Sequence, residues 1–134
     1  MSENHIDKDI LEEAKKRQSW ITYKGKEILY DDYRNLQGSK FPALVNAILK
    51  LTMESGKTEI LGLVDVRGSY AIKETVDAFS NAGKVAGPIS KKTAVLGITG
   101  VKKIFLNVVN KFSKIGAKPF DSIEDAKEWL VKDD

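Results

Sequence analysis

The sequence of 134 residues contains no cysteine and only one histidine, His5. The absence of thiols excludes disulfide frameworks, thiolate metal sites and cysteine nucleophiles, and it favours a reducing compartment of cytoplasmic type. Ser-His-Asp and Cys-His catalytic systems, and zinc sites built on histidines, are excluded as well. The sequence therefore predicts a protein without a metal site and without these catalytic groups.

Long hydrophobic runs are also missing. A membrane span needs about 20 consecutive apolar residues, whereas the apolar runs here extend over only a few. The first 18 residues lack the apolar segment and cleavage pattern of a secretory signal. The phosphate-binding patterns GxxxxGK[ST] and GxGxxG are absent too. We therefore expect a cytoplasmic protein that has no membrane span, needs no cofactor and is not an enzyme.

The composition is that of one folded domain: 42% of the residues are apolar and 31% are charged. The net charge is only +3, but it is unevenly distributed. Eight lysines and no carboxylate lie between Gly83 and Lys118, and six carboxylates follow in the last fourteen residues. This block favours an anionic partner, and the alternative is a solvated lysine surface. Nucleic acid is disfavoured because Arg67 is the only arginine after the N-terminal third.

The order of the elements predicts an α/β fold. Residues 1–18 form a charged N-terminal arm with a thin apolar stripe, expected to lie outside the core, and residues 19–134 form a single domain. Pairing across Lys24-Gly25 predicts a β-hairpin, and the runs EILGLVDV and KKTAVLGIT predict buried parallel strands. About four helices cover the resulting mixed sheet. The last one is predicted to begin at Asp121-Ser122, with Glu124 at capping-box spacing.

Two helices of this fold have clear apolar faces. The first begins after Ser39, a suitable N-cap, and ends before Gly56. The helix that follows Gly100 carries six apolar residues, which predict its buried face. They are Val101, Ile104, Phe105, Val108, Phe112 and Ile115.

Candidate ligand-binding residues lie where the two buried strands end. Ligands of open α/β sheets favour the crevice at the carboxyl ends of the strands, and helix N-termini there favour anions. The candidates are Asp65, Arg67, Ser69, Thr99, Gly100 and Lys102. Among them Lys102 is predicted to reach over the crevice, and the free amides from about Val101 to Lys103 are predicted to bind an anion. The alternative is that these residues serve only turning and capping.

The acidic pair Asp31-Asp32 has the composition of a paired-carboxylate or magnesium site. Adjacent residues on a strand point to opposite faces of the sheet, so the two carboxylates are not expected to share a ligand.

The stretch from about Ser19 to Lys132 resembles the STAS-like, anti-sigma-factor-antagonist-like family of small bacterial proteins. The segments that carry the resemblance are YKGKEILYDDYRNLQG, LVDVRGS, KKTAVLGITGVKKIFLNVVNKFS and KPFDSIEDAKEWLV. The resemblance implies a STAS-like fold without established enzyme activity that works through protein contacts or small-ligand binding.

In the sigma-factor antagonists themselves, a strand ends in Asp-Ser-Ser-Gly and a serine there is phosphorylated. The resemblance places Ser69 in a comparable position, but the segment here reads Asp-Val-Arg-Gly-Ser (65–69), which puts sigma-factor switching in doubt. Such folds also resemble lipid-carrying CRAL-TRIO domains, but this chain is too short to form an enclosed lipid pocket.

Two functions of different classes follow. The first is a non-enzymatic regulatory or protein-binding module of STAS-like type, whose partner is another protein or a second copy of this chain in a homodimer. The second is a carrier or sensor of a small anionic or acyl ligand. A weak enzyme using carboxylates and lysines is a third alternative.

Overall fold

The structure is a computed structural model in which residues 6–133 are described, so His5 lies outside the described residues. These residues form a five-stranded sheet and five α-helices. The strands are β1 (Gln18–Tyr23), β2 (Lys26–Asp32), β3 (Ile60–Asp65), β4 (Ser90–Leu96) and β5 (Lys118–Phe120). The helices are α1 (Lys8–Arg17), α2 (Lys40–Glu54), α3 (Lys73–Ala86), α4 (Lys102–Ser113) and α5 (Ile123–Val131).

The strands lie side by side in the order in which they occur along the chain, β1-β2-β3-β4-β5. β1 and β2 are antiparallel, and all later pairs are parallel. The predicted mixed α/β sheet is therefore confirmed. In the hairpin, Tyr23 pairs with Lys26 and Ile21 pairs with Ile28, as the two-residue Lys24-Gly25 turn predicts.

The sequential strand order determines which face each helix covers. Right-handed connections between parallel strands that advance in one direction place every crossover helix on the same face. Accordingly α2, α3 and α4 all lie on one face, where α2 packs on α3 and α3 packs on α4. The opposite face is covered by α5, which buries Ile28, Leu63 and Leu96.

The helix α1 is part of the core, so the expectation that the N-terminal arm lies outside it is wrong for the described residues 6–18. α1 packs against α2 and against the first two strands, and Ala14 is completely buried. Ile6 and Ile10 contact the same core. At its start, the Asp7 carboxylate accepts a hydrogen bond from the Asp9 amide at 2.8 Å. The thin apolar stripe of α1 is sufficient to anchor the helix in the core, because it packs against α2.

Helix ends follow the predicted residues in part. Gly56 has a φ of +71° directly after the Ser55 C-cap of α2, the left-handed conformation that glycine adopts at this position. Ser39 is the N-cap of α2 but its side chain forms no capping hydrogen bond. In α5 the cap is Ser122, whose hydroxyl accepts from the Asp125 amide at 3.1 Å. The helix is therefore capped one residue later than the predicted Asp121–Glu124 capping box.

None of the helices within residues 6–133 has the length and apolar character needed to cross a membrane.

Candidate ligand cavity

A cavity of about 170 Å³ lies between the sheet and the helices α2, α3 and α4. Its lining is mostly apolar and includes Val64, Phe79, Val95, Phe105, Leu106 and Val109. Gly62 and Val64, on the central strand β3, stay only half-buried although helices cover this face. On the other face of the same strand, Leu63 is completely buried. The two faces of the sheet are thus packed differently, and the cavity lies on the looser one.

The position of α4 explains the cavity. α4 packs mainly against α3, and none of its residues is buried. The two helices approach closely at Gly83, where a Cβ atom would lie only 2.5 Å from the Cβ atom of Ser113. α4 therefore lies alongside α3 and does not press onto the middle of the sheet.

The predicted orientation of α4 is wrong. Val101, Ile104 and Phe112, expected in the core, are 59%, 61% and 58% exposed. Phe105 and Val108 are half-buried, where full burial was expected. Apolar residues occupy more than half of the circumference of this helix, so its period alone does not decide which stripe faces inward.

Lys102 lies in the first turn of α4, on the side of the helix that lines the cavity. Its ammonium group donates hydrogen bonds to the carbonyl oxygens of Val66 at 2.9 Å and Gly97 at 3.2 Å. These carbonyls mark the ends of β3 and β4, so Lys102 bridges the carboxyl ends of two neighbouring strands. Burial lowers the pKa of Lys102, and the negative charge of Asp65 acts against that shift.

Thr99 and Gly100 lie at the start of α4 and are exposed. Their carbonyl oxygens accept hydrogen bonds from the amides of Lys102 and Lys103, each at 3.1 Å. These two amides were predicted to be free for an anion, and that prediction is wrong because the first turn closes on itself. The candidates Thr99 and Gly100 therefore shape the turn that aims Lys102 at the cavity.

Asp65 is the last residue of β3. Its sequence neighbours Val64 and Val66 line the cavity, so the Asp65 side chain lies on the opposite face of the sheet. The carboxylate is 0% exposed. It accepts hydrogen bonds from Nε and Nη2 of Arg67 at 2.9 and 2.7 Å, and from the Tyr30 hydroxyl at 2.6 Å. Burial acts to raise the pKa of Asp65, but these hydrogen bonds hold it below its ordinary value.

Arg67 is close to the backbone of the next strand end as well. A Cβ atom at Gly97 would lie 2.6 Å from the Arg67 amide nitrogen, and Gly97 has a φ of +93°. Only glycine allows the two strand ends to approach this closely. The structure thus brings together Asp65, Arg67 and Lys102 at one edge of the sheet.

Ser69 is separate from that group. Its side chain is 1% exposed, and its hydroxyl donates to the carbonyl oxygen of Tyr33 and accepts from the Leu36 amide. Ser69 precedes α3 by several residues and so does not stand at a helix N-terminus. Its hydroxyl is committed to holding the connection between β2 and α2.

Asp31 and Tyr33 line the cavity, although neither is among the ligand-binding candidates of the sequence. The Asp31 carboxylate accepts a hydrogen bond from the Gln18 amide at 3.0 Å, and that amide also donates to Thr52 at 2.9 Å. Burial raises the pKa of Asp31 to about 7, with the Gln18 hydrogen bond opposing the shift. In the sequence, Asp31 stands out only as one member of the Asp31-Asp32 pair.

The neighbouring Asp32 takes different partners, as the alternation of a strand predicts. Its carboxylate accepts hydrogen bonds from Arg34 at 3.0 and 3.1 Å. Burial acts to raise the pKa of Asp32, but the hydrogen bonds from Arg34 hold that pKa below its ordinary value. Asp31 and Asp32 therefore do not form one site.

Comparison of the chain with protein-family models, with curated proteins and with solved structures finds no match.

Proposed function

We propose that this protein is a non-enzymatic carrier or sensor of a small ligand that combines an apolar body with an anionic group. The cavity beneath α4, apolar along its walls and with the Lys102 ammonium group at one end, carries this proposal. Ligand sites of proteins are mostly apolar cavities with a few polar groups that fix orientation. The STAS-like resemblance supports the same reading, since it implies a binding module without established catalysis.

The volume sets the size of the ligand. A cavity of about 150 Å³ in another protein accommodates benzene, so about 170 Å³ suits an aromatic ring or a short aliphatic chain. A long acyl chain needs more space than this. The ligand class is therefore a small aromatic or short-chain acid, in agreement with the expectation that no lipid-sized pocket is present.

Lys102 is the group that would bind the acid. An ammonium group has three N–H donors, and two of them are directed at the carbonyls of Val66 and Gly97. The third is left for a carboxylate. A carboxylate beside a half-buried ammonium group also compensates the unfavourable burial of that charge.

The protein-binding alternative had its centre at the turn from Asp65 to Tyr70. Burial of the Ser69 hydroxyl gives that alternative less support than the cavity gives to a ligand carrier. We further propose that the protein works in the cytoplasm, on the ground that it lacks cysteine.

Calorimetric titration with hexanoate, benzoate and 1-hexanol tests the proposal. We expect both acids to bind and the alcohol to bind at least tenfold more weakly. Lys102→Met should abolish the preference for the acids, whereas Lys103→Met, an exposed neighbour on the same helix, should keep it. Equal binding of acid and alcohol by the native protein, or no binding of any of them, contradicts the proposal.

A further inference from the structure

The cavity contains a second polar end, formed by Tyr33 and Asp31. Tyr33 is only 3% exposed and lines the cavity. Its ring packs on Phe41 and Phe79, with centroids 5.8 and 5.2 Å away. The ring is thus fixed by its neighbours, and the direction of its hydroxyl is fixed with it.

The Tyr33 hydroxyl forms no hydrogen bond within residues 6–133. In the same part of the chain, every side-chain polar atom that is inaccessible has a hydrogen-bond partner. The hydroxyl oxygen therefore keeps accessible surface although the residue around it is buried. A hydroxyl that no group of the described chain engages, on a residue that lines the cavity, is available to a ligand as a donor and an acceptor.

Asp31 lies close enough to Tyr33 for its negative charge to raise the pKa of that phenol further, after the larger effect of burial. Tyr33 offers a donor, and the Asp31 carboxylate offers acceptors beyond the one bond from Gln18. A ligand hydroxyl is both a donor and an acceptor. It would satisfy the two groups at once by accepting from Tyr33 and donating to Asp31.

The distance to Lys102 restricts the ligand further. Asp31 pairs with Val64 of β3, while Lys102 bridges the ends of β3 and β4. Neighbouring strands lie about 4.8 Å apart and a strand rises about 3.3 Å per residue, so one to two spacings sideways and two residues along β3, roughly 8–12 Å in all, separate the backbone positions of the two polar ends. A benzene ring with groups at opposite positions, with a hydrogen bond of about 2.8 Å at each end, spans a distance of this order.

We infer that the ligand is a small hydroxy acid whose carboxylate meets Lys102 and whose hydroxyl, at the far end of an apolar body, meets Tyr33 and Asp31. This inference rests on the proposed function and adds the second polar group of the ligand. It makes Tyr33 the residue that distinguishes a hydroxylated acid from its plain counterpart.

Titration with 4-hydroxybenzoate, 2-hydroxybenzoate and benzoate tests the inference. The native protein should bind 4-hydroxybenzoate about fivefold or more tightly than the other two, because one added hydrogen bond to a buried group contributes about 1 kcal/mol. Tyr33→Phe retains the ring packing and removes the hydroxyl, so it should reduce the affinity for 4-hydroxybenzoate to that for benzoate.

Tyr30→Phe is the matched control, because the Tyr30 hydroxyl binds Asp65 on the opposite face of the sheet. It should change none of the three affinities. Equal binding of 4-hydroxybenzoate and benzoate by the native protein overturns this inference and leaves the proposed function standing. An equal loss of affinity for 4-hydroxybenzoate and for benzoate in Tyr33→Phe also overturns the inference, because the effect then does not depend on the hydroxyl of the ligand. Failure of all three acids to bind overturns both proposals.

Discussion

The ammonium group of Lys102 lies 2.9 Å from the carbonyl oxygen of Val66, and this hydrogen bond joins the first turn of α4 to the end of β3. α4 otherwise packs mainly on α3, so the Lys102 side chain is its direct connection to the sheet at this end. The same bond determines where a positive charge enters the cavity. The stability of the fold and the proposed ligand binding therefore depend on one side chain.

Replacing Lys102 by methionine should lower the free energy of unfolding by about 1–2 kcal/mol, because two carbonyl oxygens lose a charged donor while the apolar stem is retained. Lys103→Met serves as the control: Lys103 is exposed, and its replacement should stay within about 0.5 kcal/mol of the native protein. Urea denaturation of the two variants makes the comparison. Equal stabilities would show that the Lys102 hydrogen bonds contribute nothing.

The half-buried Asp31 should make the stability pH-dependent. Its pKa is about 7 in the folded protein and about 3.8 in the unfolded chain, so the folded state binds more protons between these values. The contribution of Asp31 is fully present below about pH 4 and is lost as the pH rises to about 7. The free energy of unfolding should fall by up to about 1.4 kcal/mol per pH unit in this window.

Asp31→Asn should remove this decline and make the protein more stable than the native form at pH 8. Asp32→Asn is the control with the opposite sign. Its pKa is lowered in the folded protein, so Asp32 contributes stability above about pH 4 that is lost on acidification. Thermal unfolding from pH 4 to pH 8 separates the two, and parallel curves for native protein and Asp31→Asn would be evidence against a half-buried, titrating Asp31.

Two glycines with ordinary backbone angles should respond oppositely to alanine. At Gly62 a Cβ atom meets nothing nearer than 3.9 Å, so Gly62→Ala should raise the free energy of unfolding by about 0.5–1 kcal/mol. At Gly83 the Cβ atom would meet Ser113, and Gly83→Ala should lower it by about 1–3 kcal/mol as α4 moves away from α3. Chemical denaturation measures both. A stabilising Gly83→Ala would mean that α4 is not held close to α3.

Ser69 should act as a structural residue. Its hydroxyl makes two buried hydrogen bonds, so Ser69→Ala should cost about 1–3 kcal/mol of stability. Ser39 makes no side-chain capping bond, and Ser39→Ala should stay within about 0.5 kcal/mol. Differential scanning calorimetry compares the two, and similar melting temperatures for both variants would contradict the buried role of Ser69.

The exposed stripe of α4 should tolerate polar residues. Ile104→Gln should change the free energy of unfolding by less than about 0.5 kcal/mol, since the side chain is mostly in water. Leu44→Ala, in the fully buried core under α2, should cost about 2–5 kcal/mol. Denaturant titration distinguishes the two variants. A large loss of stability in Ile104→Gln would mean that α4 has the orientation expected from the sequence.

Local rules predicted the parts of the fold that local geometry controls. The hairpin register follows from the two-residue turn at Lys24-Gly25, because loop length fixes which residues face each other. The buried strand β3 follows from its continuous apolar run, and the left-handed Gly56 follows from the end of the helical period. The rule that ligands favour the carboxyl ends of strands is what drew attention to Lys102, which bonds the backbone at the ends of β3 and β4.

Tertiary packing decides the remaining features, and these were not accessible from the sequence. α1 was assigned to a loose arm because its stripe is thin, yet α2 provides the surface that buries Ala14. The pattern of α4 did not indicate that Gly83 would hold the helix on α3. Asp31 and Tyr33 look like ordinary residues at the end of a strand, and their importance emerges only with the cavity. Burial of Ser69 likewise depends on a contact 33 to 36 residues distant along the chain.

The sequential strand order has a consequence for protein synthesis. Each strand pairs with the strand that leaves the ribosome immediately before it, so the sheet can grow in the direction of translation without waiting for a distant partner. One face is covered as it grows, because each crossover helix is made between two strands. The other face stays bare until α5 has been synthesised, since Ala126 and Leu130 of that helix cover Leu63 and Leu96. A nascent chain halted before Ile123 would present a nearly complete sheet with one apolar face in water, the form in which chaperones would meet this protein.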